Sequence, residues 1–283
     1  MAPLEATPAG GPSGSDTIPA HGVEPMNVRM EGSWPDSLTL RKGWARAVAR
    51  AWNRDVPMAH LRIERGGVSF IKDCAESLCS LPGVAGVLSP PLPASARHTW
   101  HEAGFEVHAH LDLLRLELDK VPSPDHLVAV GDLPDLNEAL RIDRAAFTEF
   151  WRFDRSSLLE ALYSTKHSVI HVVRRPGRGL AGYAITGLGT VIAYLQRVAV
   201  DPLWQGRGIG RSLVRTSARW AESQGAQALV LNTPSDNRPA AGLYSSEGFR
   251  RLDDPLAVLG WTPSASLPDP GPPGRVIPTE VKP

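Results

Sequence analysis

Polar and apolar positions divide the chain into two patterned stretches between two unpatterned ends. Residues 1–37 are rich in Gly, Pro, Ser and Ala, and the segment from 262, TPSASLPDPGPPGRVIPTEVKP, is rich in proline. Such segments bury too little apolar surface to offset their ordering entropy. Both ends, 1–37 and 262–283, are therefore expected to be disordered.

The second patterned stretch, 123–261, is the clearer one. HLVAV (126–130) reads as a short strand, and Leu133, Leu136, Leu140 and Phe147 recur at helical spacing. DRSSLLEALYST (154–165) predicts a second helix, capped by Asp154 or a serine. SVIHVVRR and LAGYAITG are β-rich runs joined by PGRG, a hairpin signal, and TVIAYLQRVAV predicts the longest strand. A helix from about Gly208 to Ser223 would bury Ile209, Leu213 and Trp220. ALVLN is a short buried strand, NRPAAGLYSSEG a helix ending at a glycine, and FRRLDDPLAVLG the last strands. Alternating strands and helices predict an α/β domain with a mixed sheet.

The first stretch, 38–122, is smaller and also α/β in pattern. LTLRKGWARAVARAW suggests an amphipathic helix, and VSFIK, VAGVL and LDLLRLEL suggest strands. It also echoes the second stretch. VLSPPLPASARHTWHEAGF lies on VLNTPSDNRPAAGLYSSEGF with one gap, which places Ala96 on Ala240, Trp100 on Tyr244 and Gly104-Phe105 on Gly248-Phe249. A degenerate half-repeat and chance recurrence of common residues both explain that match.

Composition narrows the classes. The 283 residues are 42% apolar, enough for a core, and 30 basic residues balance 30 acidic ones. A neutral chain lacks the basic surface that nucleic acid requires. No run of eighteen apolar residues would span a membrane, and the N-terminus has no signal-peptide pattern. A cytoplasmic protein with no nucleic-acid or membrane partner is expected. The two cysteines, Cys74 and Cys79, make neither a zinc ribbon nor a disulfide framework, so no metal is expected.

The chemistry concentrates in VAVDPLWQGRGIGRSLV (198–214), where an apolar strand passes through three glycines into a helix. Helix N-termini carry unpaired N–H groups and favour anions, and glycine lets the backbone approach a phosphate. An ordinary glycine-rich turn is the plain alternative. No Gly-Lys-Ser/Thr of a Walker loop is present, and Arg211 and Leu213 break the Rossmann spacing.

The whole string, LQRVAVDPLWQGRGIGRSLV followed by LNTPSDNRPAAGLYSSEGFRRL, resembles the GNAT superfamily of acyl-CoA-dependent N-acyltransferases. The family's pyrophosphate loop matches Gln205-Gly206-Arg207-Gly208-Ile209-Gly210, and its second signature matches Asn237, Leu243-Tyr244 and Gly248-Phe249. The resemblance covers about 126–260. It implies a GNAT fold, an α/β architecture whose mixed, mostly antiparallel sheet splays at the strands that bind acetyl-CoA. The backbone of Val198, Ala199 and Val200 would pair with the pantetheine arm, and the loop would take the pyrophosphate. Asn237 would bond pantetheine, and Tyr244 would return a proton to the leaving thiolate. In isolation, Tyr244 reads equally as a packing aromatic.

The family's usual base positions fall on Gln196 and Asn232, neither of which accepts a proton near neutral pH. Glu149, Asp154, His167 and His171 lie in segments expected near the acceptor and could act through water. A missing base leans toward a weakly basic amine. An α-amine of pKa 7.7–8.0 is roughly a tenth neutral at pH 7, a lysine only about one part in 2,500. Phe147, Phe150, Trp151 and Phe153 are either core or an apolar wall for the acceptor. The resemblance implies acetyl transfer to a small-molecule or peptide amine. A non-catalytic acyl-CoA sensor and a tandem acyltransferase resembling mycothiol synthase are the alternatives. Oligomeric state is open, a homodimer included.

Overall fold

A computed structural model describes residues 28–271, apart from 133, 178, 265, 266 and 268. Leu133 and most of both predicted tails thus lie outside the described residues. The first stretch folds as β1 (Arg29–Gly32), β2 (Leu38–Lys42), β3 (Ala45–Ala51), β4 (Met58–Arg65), α1 (Val68–Cys79), β5 (Gly86–Leu88), α2 (His98–Glu102) and β6 (Glu106–Glu117). The second folds as β7 (Ala129–Val130), α3 (Asp135–Ala146), α4 (Arg155–Tyr163), β8 (His167–Arg174), β9 (Leu180–Leu188), β10 (Ile192–Val200), α5 (Ile209–Ser223), β11 (Ala228–Pro234), α6 (Arg238–Ser246), β12 (Arg250–Arg251) and β13 (Leu256–Trp261).

Three expectations need correction. LTLRKGWARAVARAW is a hairpin, β2 turning into β3 at Gly43 with φ +58°. Its period is two: Ala45, Ala47, Ala49 and Ala51 are buried while Arg46, Val48 and Arg50 are only half-buried. VSFIK opens a helix, because Phe70, Ile71, Cys74, Ala75 and Leu78 form one buried stripe along α1. Short apolar runs do not distinguish the two periods until their flanks are included. The ends are also less bare than their composition suggests. β1 begins at Arg29, inside the expected N-terminal tail. In the C-terminal segment, Leu267 packs with Met58, Leu88 and Val258, where Gly86 and Gly260 leave room that a Cβ would fill.

One sheet runs through both stretches in the order β1-β2-β3-β4-β5-β13-β6-β11-β10-β9-β8-β7, with β12 on β6. Among the described residues pairing is antiparallel except at β4–β5 and β10–β11. Those parallel pairs hold equivalent places in the two halves. The halves also exchange strands: β13 lies between β5 and β6, and β6 reaches across to β11 and β12. The sheet is therefore unbroken at the expected boundary near 122.

The echo in the sequence is a structural repeat. Gly104 and Gly248 both take φ +88°. Phe105 N–H donates to the Trp100 carbonyl and Phe249 N–H to that of Tyr244, both at 3.0 Å. The paired rings meet edge-on or tilted at 4.8 and 5.4 Å. Left-handed glycine is the ordinary way to end a helix, but the same aromatic pair closing both ends marks a common unit. The halves differ in what they add. β1 passes directly to β2, whereas α3 and α4 are inserted between β7 and β8.

Candidate active site

β10 and β11 pair in parallel only from Ile192↔Ala228 to Tyr194↔Val230. A bulge at Gln196 follows, and β10 continues to Val200 bonded to β9. β11 meanwhile follows β6 as far as Pro234. The two strands therefore splay, leaving one edge of β10 without a strand partner beyond Tyr194 among the described residues. Val198, Ala199 and Val200 lie on this diverging part.

At the end of β10, Asp201 starts a tight 3-10 turn by accepting from Leu203 N–H at 3.1 Å. Gly206 and Gly208 then adopt φ +76° and +82°. Side-chain-bearing residues rarely take these conformations, which accounts for the G-x-G spacing. Nothing lies within 4 Å of where a Cβ on Gly206 would stand. Gly208 is the N-cap of α5, and no side chain caps that end. His126 Nε2–H donates to the Arg207 carbonyl at 2.7 Å, and Ser212 Oγ accepts from Asp125 and His126 N–H at 3.1 Å. The loop is thus lashed from behind and open in front, the form of a cradle for a phosphate. Gln205 Nε2 donates to the Val200 carbonyl at 3.1 Å, and the Arg207 guanidinium lies over the Trp204 ring at 4.9 Å. Ile209 is buried, and Gly210 lets α5 approach Leu243 of α6.

Asn237 caps α6, accepting from Ala240 N–H at 3.3 Å while its Nδ2 donates to Thr233 Oγ1 at 3.3 Å. Both ends of the amide thus hold the turn that starts α6. Tyr244 is buried, and burial pushes its phenol up to about 12 while Arg197 pulls the other way. It carries its proton at neutral pH.

Beside the splay is a cleft of about 660 Å³ lined by both halves. Gln196 and Asn232 line it together, as do Phe150 and Trp151. The aromatic segment has two jobs. Phe147 and Phe153 clamp the buried Arg197 guanidinium, whose centre lies 3.6 and 4.0 Å from their ring centroids. Arg197 bonds Asp143 through Nε and Nη2 at 2.7 and 2.8 Å, and Tyr183 OH donates to Asp143 at 2.6 Å. Phe150 and Trp151, between the clamps, face the cleft. Their turn is pinned from the first half: Trp52 Nε1–H donates to the Phe150 carbonyl at 2.6 Å. Asn53 Nδ2 donates to the carbonyls of Glu149, Phe150 and Arg152 at 2.9–3.2 Å. Trp151 Nε1–H also donates to the Gly271 carbonyl at 3.1 Å.

The carboxylates and imidazoles singled out from sequence do not line this cleft. Asp154 is the N-cap of α4, accepting from Ser157 N–H at 2.8 Å. Glu149 is exposed beside Arg152, and His167 is exposed where β8 begins. His171 is buried against Trp220 of α5, and burial lowers it to about 4. Sequence reading missed Glu160 on α4, the one carboxylate among the described residues lining the cleft. Arg50 holds it, Nε to Oε2 at 2.8 Å. It also missed His60 of β4. Burial, with Arg50 and Arg62 nearby, lowers His60 to about 3, and its Nε2 has no partner among the described residues. Helical spacing could have put Glu160 on a face. Nothing local announces His60, which reaches the cleft through the sheet.

Residues 136–249 match the profile of the acetyltransferase (GNAT) family. A mycothiol acetyltransferase from Nocardioides sp. is 29% identical over 186 residues, covering 55% of this chain and 62% of that protein. The N-alpha-acetyltransferase RimI of Mycobacterium tuberculosis is 38% identical over 86 residues, covering 29% of this chain and 52% of the relative. The chain thus spans less than two thirds of the length of these relatives. A solved tandem GNAT protein from the clavulanic acid biosynthesis pathway superposes with a TM-score of 0.57 at 14% identity, over 86% of each chain. That likeness covers both halves, and it is a likeness of fold. Among the described residues no helix is long and apolar enough to cross a membrane.

Proposed function

We propose, from the match of residues 136–249 to the acetyltransferase (GNAT) family profile, that this protein moves an acetyl group from acetyl-CoA to a primary amine by direct attack in a ternary complex. One observation carries the reading. The open glycine cradle at 206–208 follows the end of the splayed strand whose residues 194–197 line the cleft. A donor held by the cradle and running down β10 would deliver its thioester beside Gln196 and Asn232. Holding both reactants in one cleft supplies effective molarities of roughly 10⁵–10⁸ M. Tyr244, protonated at neutral pH, is the acid for the departing thiolate, a contribution of about 10²–10⁴. Glu160 takes the ammonium proton, directly or through water.

The names of the relatives span a small-molecule acceptor and a protein α-amine. The repeat favours the tandem form of the reading. A sensor without turnover has no use for a leaving-group acid or for an acceptor cleft built by both halves.

Calorimetric titration with acetyl-CoA tests the donor site first. Micromolar binding, weakened about a hundredfold or more by Gly208→Glu, is expected, since the variant adds strain at φ +82° and a negative charge in the cradle. Equal affinity in the variant would remove the loop from the site. With an accepted amine, Tyr244→Phe should slow kcat about a hundredfold at unchanged affinity for acetyl-CoA.

A further inference from the structure

Two cavities meet at one point of the first half. The main cleft and a smaller chamber of about 240 Å³ share Arg50, His60 and Glu160 in their walls. The smaller chamber is otherwise built by the β2–β4 side of the first half and the start of α4, with Val48, Ala49 and Arg62 among its lining. Arg50 is largely committed: four of its five N–H groups donate to Glu160 and to the carbonyls of Ala51 and Trp52. His60 does have capacity. Its ring stands edge-on to Trp52 at 5.6 Å, and its buried Nε2 has no partner among the described residues. An unsatisfied buried nitrogen is costly, and such groups are usually met by a partner from elsewhere.

We propose that His60 is a specificity-determining residue of the acceptor site, bonding a neutral hydroxyl or amide that the acceptor carries beyond its reactive amine. The inference rests on the acetyltransferase reading and names the class of amine it uses. Two observations favour a neutral partner over an anionic one. Arg50 is already neutralised by Glu160, and the imidazole, kept neutral by its surroundings, offers no charge to a carboxylate or phosphate. The aromatic walls, Trp52 and Phe150, suit an apolar spacer between the two polar ends. The acceptor is thus an elongated amine with a neutral polar group, its amine at Gln196 and Asn232 and its far end passing His60 toward the smaller chamber. This gives the first half, which has no glycine cradle, a direct part in substrate choice.

The test compares a phenylalkylamine with three relatives bearing a terminal primary amide, a terminal hydroxyl or a terminal carboxylate. The wild type should favour the amide or the hydroxyl over the bare amine, and reject the carboxylate. Which of the two neutral groups is preferred identifies the natural chemistry. His60→Ala should lower kcat/KM for the preferred substrate about tenfold, mainly through KM, lower that for the bare amine much less, and leave acetyl-CoA affinity unchanged. His60→Gln, which restores a hydrogen-bonding group and guards against misfolding, should recover part of the loss. Uniform slowing of every amine, no slowing, or preference for the carboxylate would overturn the role of His60 and leave the acetyltransferase reading standing. A wild-type protein that binds acetyl-CoA yet acetylates none of the four would overturn both.

Discussion

The two halves enter their equivalent helices, α1 and α5, by different turns. Between β4 and α1 of the first half lie only Gly66 and Gly67, whereas residues 201–208 separate β10 from α5 in the second. Behind Gly66 the Phe70 ring fills the space a Cβ would need, and Phe70 is itself buried. In front of Gly206 there is open space. Both turns need glycine, but for opposite reasons. The first makes room for the protein's own ring, and the second leaves open the space where the proposed donor would sit. A shared frame of strands and helices therefore does not by itself make a phosphate site. A loop long enough to wrap an anion, with its inner face unfilled, is required as well.

That contrast does not make the second half self-sufficient. β11 and β12 both pair with β6, and β13 lies between two first-half strands. Cutting the chain at residue 123 would strip β11 of its partner along Ala228–Pro234 and leave β13 with none of its described partners. Buried backbone groups without partners cost heavily. The largest effect expected is thus complete: residues 123–283 alone should be unfolded or aggregated by far-UV circular dichroism and gel filtration. A soluble fragment with a cooperative melt would show that the exchange of strands is dispensable.

Substitutions at the glycines sharpen the comparison at smaller cost. Gly66→Ala meets φ +149° and the Phe70 ring at once, and should destabilise the fold by about 1–3 kcal/mol in denaturant titrations. Because the first-half turn has no ligand to hold, acetyl-CoA affinity per folded molecule should not change. Gly208→Glu should do the reverse, losing the donor while the melting temperature falls little. Loss of donor binding in Gly66→Ala would mean that the first half contributes to the donor site.

These contrasts explain what could be read from the sequence. The second half was legible because its signals are local. Glycine at fixed offsets permits the left-handed turns of the loop, and Asp154 and Asn237 cap helices within three residues of themselves. The same locality misled in the first half, where alanines alternating with arginines looked helical and formed β3. The acceptor side was the least legible. Asn53 bonds residues about a hundred positions away, and His60 and Glu160 meet one cleft only because the sheet and α4 bring them there. Asn237 was recognised by its spacing, yet that spacing did not reveal that both ends of its amide are occupied by the cap.

Trp100 and Tyr244 provide the finest comparison. They stand at the same place before a left-handed glycine, and each packs on the phenylalanine that follows it, Trp100 edge-on and Tyr244 tilted. If position alone made Tyr244 an acid, Trp100→Tyr would begin to give the first half a second acid. The turn at Gly66 argues against any gain, since a leaving-group acid is idle where no donor is held. Replacing the indole with a phenol removes some buried volume and alters one edge-on ring pair, a cost of about 1 kcal/mol. The expected result is a small fall in melting temperature, one equivalent of acetyl-CoA bound per chain as before, and unchanged kcat. A second equivalent bound by the variant would mean that Trp100, and not the filled turn, keeps the first half silent.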